Sequence, residues 1–114
     1  MDYSKLSDAE ISMRVGMIIS FDKLSIISSD GKALIHEYKS IGNYENVCLG
    51  WKVFDPCNNA ADAWPIILQS RLYIDPIYIK DWCVTSECDS YREIHANPLR
   101  AAMIVFLMMM QGDE

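Results

Sequence analysis

Apolar and polar positions along the chain change period several times, and each change marks an element. Ser7-Asp8-Ala9-Glu10 is a capping box: the Ser7 hydroxyl can accept from the backbone N–H of residue 10 while Glu10 reaches back to that of residue 7. Leu6 stands where a staple residue would, so a helix over about residues 8–15 is expected, with Gly16 as its stop. Residues 17–21 fit a helix extension or a strand equally well. Two β-branched runs, 24–28 and 33–38, flank Ser29-Asp30-Gly31-Lys32. Asp-Gly at that place predicts a hairpin, because the tight turn needs positive φ. A polar loop over 41–46 and a third strand over 47–54 follow, the strand interrupted by Gly50 at a possible bulge.

The second half opens on a choice of helix start. Asn59 as N-cap would place Pro65 inside the helix; Asp62 as N-cap would place it in the first turn, where its missing N–H costs nothing. The second is the expectation: a loose turn from 60 and a regular helix from 62 to about 70. Residues 72–74 and 78–84 read as short strands separated by Asp75-Pro76, and 85–96 as polar loop, with room for one helical turn. Asn97-Pro98 is an N-cap followed by proline at the first helical position, a strong start for a last helix to about Met110. Three helices and four or five short strands, not strictly alternating, predict an α+β fold in one domain, with helices packed on a mainly antiparallel sheet.

Composition narrows the function more than it defines it. Of 114 residues 51% are hydrophobic and 23% charged, enough to build a core without metal or disulfide. Ten basic and sixteen acidic residues give a net charge of −6, and no two basic residues are adjacent. A stripe able to neutralise phosphates is missing, so direct nucleic-acid binding is disfavoured. The acidity leaves open mimicry of nucleic acid toward a basic partner. The opening Met1-Asp2-Tyr3-Ser4-Lys5 lacks a signal-peptide pattern, so a cytoplasmic chain with reduced thiols is expected. Its longest apolar run, Ala101 to Met110, is about half a membrane span.

Several side chains are candidates for chemistry. Cys83 and Cys88, four residues apart, with His95 and Cys57, could form a tetrahedral zinc site; one such pair without a second is a weak signal. Cys57 precedes a helix N-terminus, which would stabilise a thiolate, and His36 or His95 could serve as its base. Asn58, Asn59 and Asp62 are residue types that cap helices and fold turns. With Asp55 and Cys57, beside Trp51 and Trp64, they could instead form a polar recognition edge for a protein partner. Arg100, the sole charge between Pro98 and Gln111, would pair with a carboxylate such as Asp62, cover apolar surface with its stem, or anchor an anion. Met103, Met108, Met109 and Met110 put adaptable side chains on a last helix apolar all round, which makes it a core helix or one side of a homodimer. No phosphate loop, paired-carboxylate motif or serine elbow occurs, and no cofactor is expected.

Three stretches resemble the NinX-like family of small proteins encoded by lambdoid phages and prophages. They are the opening Met1 to Asp8, the segment Phe54-Asp55-Pro56-Cys57-Asn58-Asn59 with Asp62-Ala63-Trp64-Pro65-Ile66-Ile67, and Asn97-Pro98-Leu99-Arg100-Ala101-Ala102 with Met103 to Met109. The resemblance implies a protein made inside an infected bacterial cell; it brings no catalytic residues. The expected role is that of a non-enzymatic accessory protein working by protein–protein contact, with a zinc-containing module or small Cys57 enzyme and an acidic mimic as alternatives. Each reading requires the starts of the middle and last helices to meet at one surface edge.

Overall fold

The computed structural model describes residues 2–20, 26–41 and 45–111, with side chains outside residues 37–49. After a short 3-10 helix, Tyr3–Lys5, the elements run α1 (Asp8–Ile19), β1 (Ile26–Ser29), β2 (Lys32–Ile41), β3 (Glu45–Val53), α2 (Ala60–Ser70), β4 (Tyr73–Ile77), β5 (Asp81–Thr85), β6 (Arg92–His95) and α3 (Pro98–Gln111). The class is α+β, but among the described residues the strands number six and form two separate antiparallel sheets, ordered β1-β2-β3 and β4-β5-β6.

The capping box forms as the sequence demands, with Glu10 N donating to Ser7 Oγ at 3.1 Å and Ser7 N donating to Glu10 Oε1 at 3.2 Å. Gly16 does not end α1. The helix continues to Ile19, and Ser20 N closes it on the Gly16 carbonyl at 2.9 Å. Gly16 serves packing instead: a Cβ there would overlap the δ-methyl of Ile26. Expectations for residues 21–25 and for 42–44 in the 41–46 loop lie outside the described residues.

Asp30 and Gly31, with φ of 52° and 71°, turn β1 into β2 between the paired Ser29 and Lys32. Both central residues at positive φ is the primed turn that the Asp-Gly pair favours. The bulge in β3 also forms. Glu37 faces Gly50 but Tyr38 faces Cys48, so Leu49 has no partner, and Gly50 adopts φ of 120°.

Three expectations fail in the second half. Asn59, not Asp62, caps α2, its Oδ1 accepting from Ala61 N at 2.9 Å. Pro65 therefore lies within the helix, where its missing N–H would have met the carbonyl of Ala61; that residue is exposed, so water can take the place of the lost donor. Arg71 ends the helix in the left-handed region (φ 56°), and Leu72 N bonds back to the Ile67 carbonyl at 3.2 Å. Pro76 does not separate two strands but sits inside β4. As β4 pairs with β5 alone, a residue without an N–H is tolerated at that edge. The stretch 85–96 holds strand β6, whose polar residues pair with β5 through Trp82↔His95 and Val84↔Glu93.

Helix α3 is the centre of the molecule. It packs on β5 and β6 and against both other helices. Ala101 through Leu107 are all buried, which explains an apolar run that goes all the way round the helix. Each large side chain in it contributes about 1.5–3 kcal/mol of burial. Helix α1 covers β1 and β2, where Ile26 and Ala33 face inward. Among the described residues no helix is long and apolar enough to cross a membrane.

Candidate functional site

The starts of α2 and α3 do meet. Asn97 Oδ1 accepts from Leu99 N at 3.0 Å and Arg100 N at 3.3 Å, capping α3. The other end of the same amide donates to the Cys57 carbonyl at 2.7 Å and to Asn58 Oδ1 at 3.3 Å. One side chain thus caps its own helix and holds the turn that leads into α2.

That turn is folded around Asp55. Its carbonyl accepts from Asn58 N at 3.1 Å and Asn59 N at 2.8 Å. Its own N–H donates to Asp62 Oδ2 at 3.0 Å, so Asp62, free of the capping role, ties the first turn of α2 to the end of β3. Asn58 Nδ2 then bridges two carboxylates, at 3.2 Å from both oxygens of Asp55 and 3.0 Å from Asp8 Oδ2.

Asp8 is the hub, and sequence reasoning treated it only as part of a capping box. Its other oxygen, Oδ1, accepts from Arg100 Nη1 at 2.6 Å. Arg100 Nη2 donates to the carbonyls of Ser4 at 3.0 Å and Leu6 at 2.7 Å. The expected pairing of Arg100 with Asp62 does not occur, because Asp62 is engaged with the Asp55 backbone and Asp8 arrives from the other end of the chain. The Arg100 side chain is only 11% exposed, and three of its five N–H donors go to one carboxylate and two carbonyls, which makes an internal role its main one. At Asp8 desolvation opposes ionisation, but the hydrogen bonds from Asn58 and Arg100 outweigh it and hold the carboxyl below its ordinary range.

Cys57 lies beneath this junction, fully buried, with a long thiol contact of 3.9 Å to the Asp8 carbonyl. Burial first, and the Asp8 carboxylate second, push its thiol up to about 12. That is the opposite of what a nucleophile needs. The N-cap of α2 is two residues further on, so Cys57 does precede the helix start, but burial outweighs that position. The two candidate bases are engaged with other groups. His36 stacks on Trp51 with ring centroids 3.7 Å apart, and His95 Nδ1 accepts from Asn97 N at 2.9 Å.

The proposed zinc ligands are likewise distributed. Cys57 is under α1, Cys83 is opposite Ile94 in the second sheet, Cys88 is in the exposed turn after β5, and His95 ends β6. Among the described residues no three His, Cys, Asp or Glu side chains are grouped to hold a metal ion. Trp51 and Trp64 are both exposed in part, the first on a sheet face and the second on α2. A missed feature is Cys88, whose thiol is lowered to about 7 by hydrogen bonds from the Ser86 and Ser90 hydroxyls. Ser-x-Cys-x-Ser around it was the available signal, spread over Ser86, Cys88 and Ser90.

A family profile described as Bacteriophage P22, NinX matches residues 2–110. The chain belongs to this family. No curated protein matches it. Every residue of the Asp8–Asn58–Arg100 junction falls inside the matched span, as do both sheets and nearly all of α3. In this NinX-family chain the decorated helix starts are therefore parts of one hydrogen-bonded junction that joins the beginning, middle and end of the sequence.

Proposed function

We propose that this NinX-family protein is a phage accessory protein that acts in the infected bacterial cell by binding another protein, without catalysing a reaction. The observation that carries the reading is the outer face of the first sheet. Ile27, Leu34 and Val53 form one cross-strand row there, with Trp51 stacked on His36 in the next. Val53 and Trp51 remain 48% and 41% exposed. Solvent-facing positions of an antiparallel sheet are ordinarily polar, so an aromatic and aliphatic face marks a contact surface. Tryptophan anchors such contacts well because it buries much area with few rotors.

The disposition of polar groups supports the same reading. Asn58, Asn59, Asp62 and Arg100 spend their hydrogen bonds on the protein's own backbone and on the Asp8 and Asp55 carboxylates. The partner is a host or phage protein.

The test is retention of a partner from phage-infected cells by the tagged protein, followed by hydrogen exchange on the isolated complex. The expected result is a partner that slows exchange in β1–β3 and is lost with the double variant Trp51→Ser, Val53→Thr. Capture insensitive to that variant, or protection elsewhere only, would overturn the assignment of this face.

A further inference from the structure

Helix α2 has an unusual solvent side. With 3.6 residues per turn its exposed positions are Ala60, Ala61, Trp64, Pro65, Leu68 and Gln69, five of them apolar. Trp64 and Leu68, one turn apart, form a ridge 56% and 57% exposed. The helix contains no lysine, arginine or glutamate, and its single charge, Asp62, is turned to the Asp55 backbone.

One flank of the same helix opens on two grooves that share Ile19 and Ile66. The larger, about 540 Å³, is floored by Phe106 and Met109 and flanked by Met110, itself 53% exposed at the end of α3. The smaller, about 360 Å³, continues toward the start of α2 past Pro65 and Ala61. Ridge and groove thus lie side by side on one face. A twofold interface requires this arrangement, because each copy must offer both halves of the contact.

Charge selects the occupant. The chain carries −6, so two copies repel over most of their surface. The charged residues bordering the grooves are Lys52 and Asp62 at one end and Arg71 and Glu87 at the other, balanced in sign. Arg71 and Glu87 form an exposed ion pair at 3.1 Å. A rim bearing both signs complements its own twofold image, whereas a basic partner is drawn to the acidic remainder of the surface. Methionine at the groove wall adapts to the shape of an inserted side chain.

We propose that α2 is a self-association face, on which a second copy of the chain docks about a twofold axis with its Trp64–Leu68 ridge seated in the groove between α2 and the ends of α1 and α3. The pairing is centred on the Trp64–Leu68 ridge and does not depend on the first sheet binding a partner.

Sedimentation velocity on the full chain across a wide concentration range tests it. Wild type is expected to convert from monomer to dimer. Leu68→Glu, at a central and exposed position, is expected to weaken the dimer by about thirtyfold or more, the effect of losing one hot-spot side chain. Arg71→Glu, which sets like charges against each other across the axis, should weaken it independently. Ile79→Glu, at a position 98% exposed in the β4–β5 turn, should leave it intact. Circular dichroism confirms that each variant is folded. A wild-type chain that remains monomeric, or a dimer indifferent to both Leu68→Glu and Arg71→Glu, overturns the proposal. A monomer that still retains a partner through Trp51 and Val53 defeats this proposal alone; a dimer that retains none defeats only the partner reading.

Discussion

Arg100 and Asp8 lie 92 positions apart in the chain and 2.6 Å apart in space. Around this pair residues 4–8, the turn before α2 and the start of α3 are held together. Replacing Arg100 by methionine keeps the stem but strands the Asp8 carboxylate and two carbonyls. A loss of about 2–3 kcal/mol is expected, below the range for a fully buried pair because Asp8 is partly in water. Urea unfolding measures it. Arg100→Lys should recover only part of the loss, since one ammonium cannot reproduce the planar fork.

Asp8 also makes stability depend on acid. Its folded carboxyl titrates below the ordinary value of 3.8, so the unfolded chain binds this proton more readily. The associated stability is fully present above that value and is lost as pH falls through the lower folded one. Unfolding midpoints recorded from pH 6 downward should fall less steeply for Asp8→Asn than for wild type. Equal slopes would remove Asp8 as the acid-sensitive group.

Glu93 has the opposite sign. Burial first, and the neighbouring Asp2 carboxylate second, raise its carboxyl, so the folded protein favours the protonated form. The stability this proton contributes is present at low pH and is lost as pH rises through the folded value. Glu93→Gln should therefore raise the melting temperature at pH 7 and bring no gain near pH 3.

Asn97→Ala removes a cap and two bonds to the 57–58 backbone and side chain at once. A cost of about 2 kcal/mol is expected, at the upper end for an N-cap, because the Cys57 carbonyl loses its donor. Asn97→Asp retains the cap but cannot donate, so the difference between the two variants isolates the link between α2 and α3.

The thiols should separate cleanly under alkylation. Cys88, exposed and lowered to about 7, should react readily near neutral pH; Cys57, buried and pushed up to about 12, should react only as the protein unfolds. Mass-spectrometric mapping after brief iodoacetamide exposure reads both. Early labelling of Cys57 would contradict its place beneath α1.

Local chemistry made much of this fold legible. Ser7 and Glu10, Asp30 and Gly31, Gly50, and Asn97 with Pro98 each do what their residue types require over two to four positions, and the structure follows them. The failures share a physical cause: tertiary context overrode a local preference. Pro65 is accepted inside α2 because Asn59 caps better than Asp62, which the Asp55 backbone claims. Pro76 is accepted in β4 because only one side of that strand is paired. Residues 92–95 look like loop, yet β5 supplies their ladder. In the candidate site, Asn58, Asp62 and Arg100 were visible as unusual residues, but their partners were not. Asp8 could not be matched to Arg100 by spacing, since the fold alone brings positions so distant together.

The Arg100 clasp also orders events during synthesis. Ser4, Leu6 and Asp8 are synthesised long before the guanidinium that binds them, so residues 4–8 stay unsecured until position 100 has emerged. The central helix emerges with it. A chain truncated before residue 100 therefore has neither this clasp nor the α3 core.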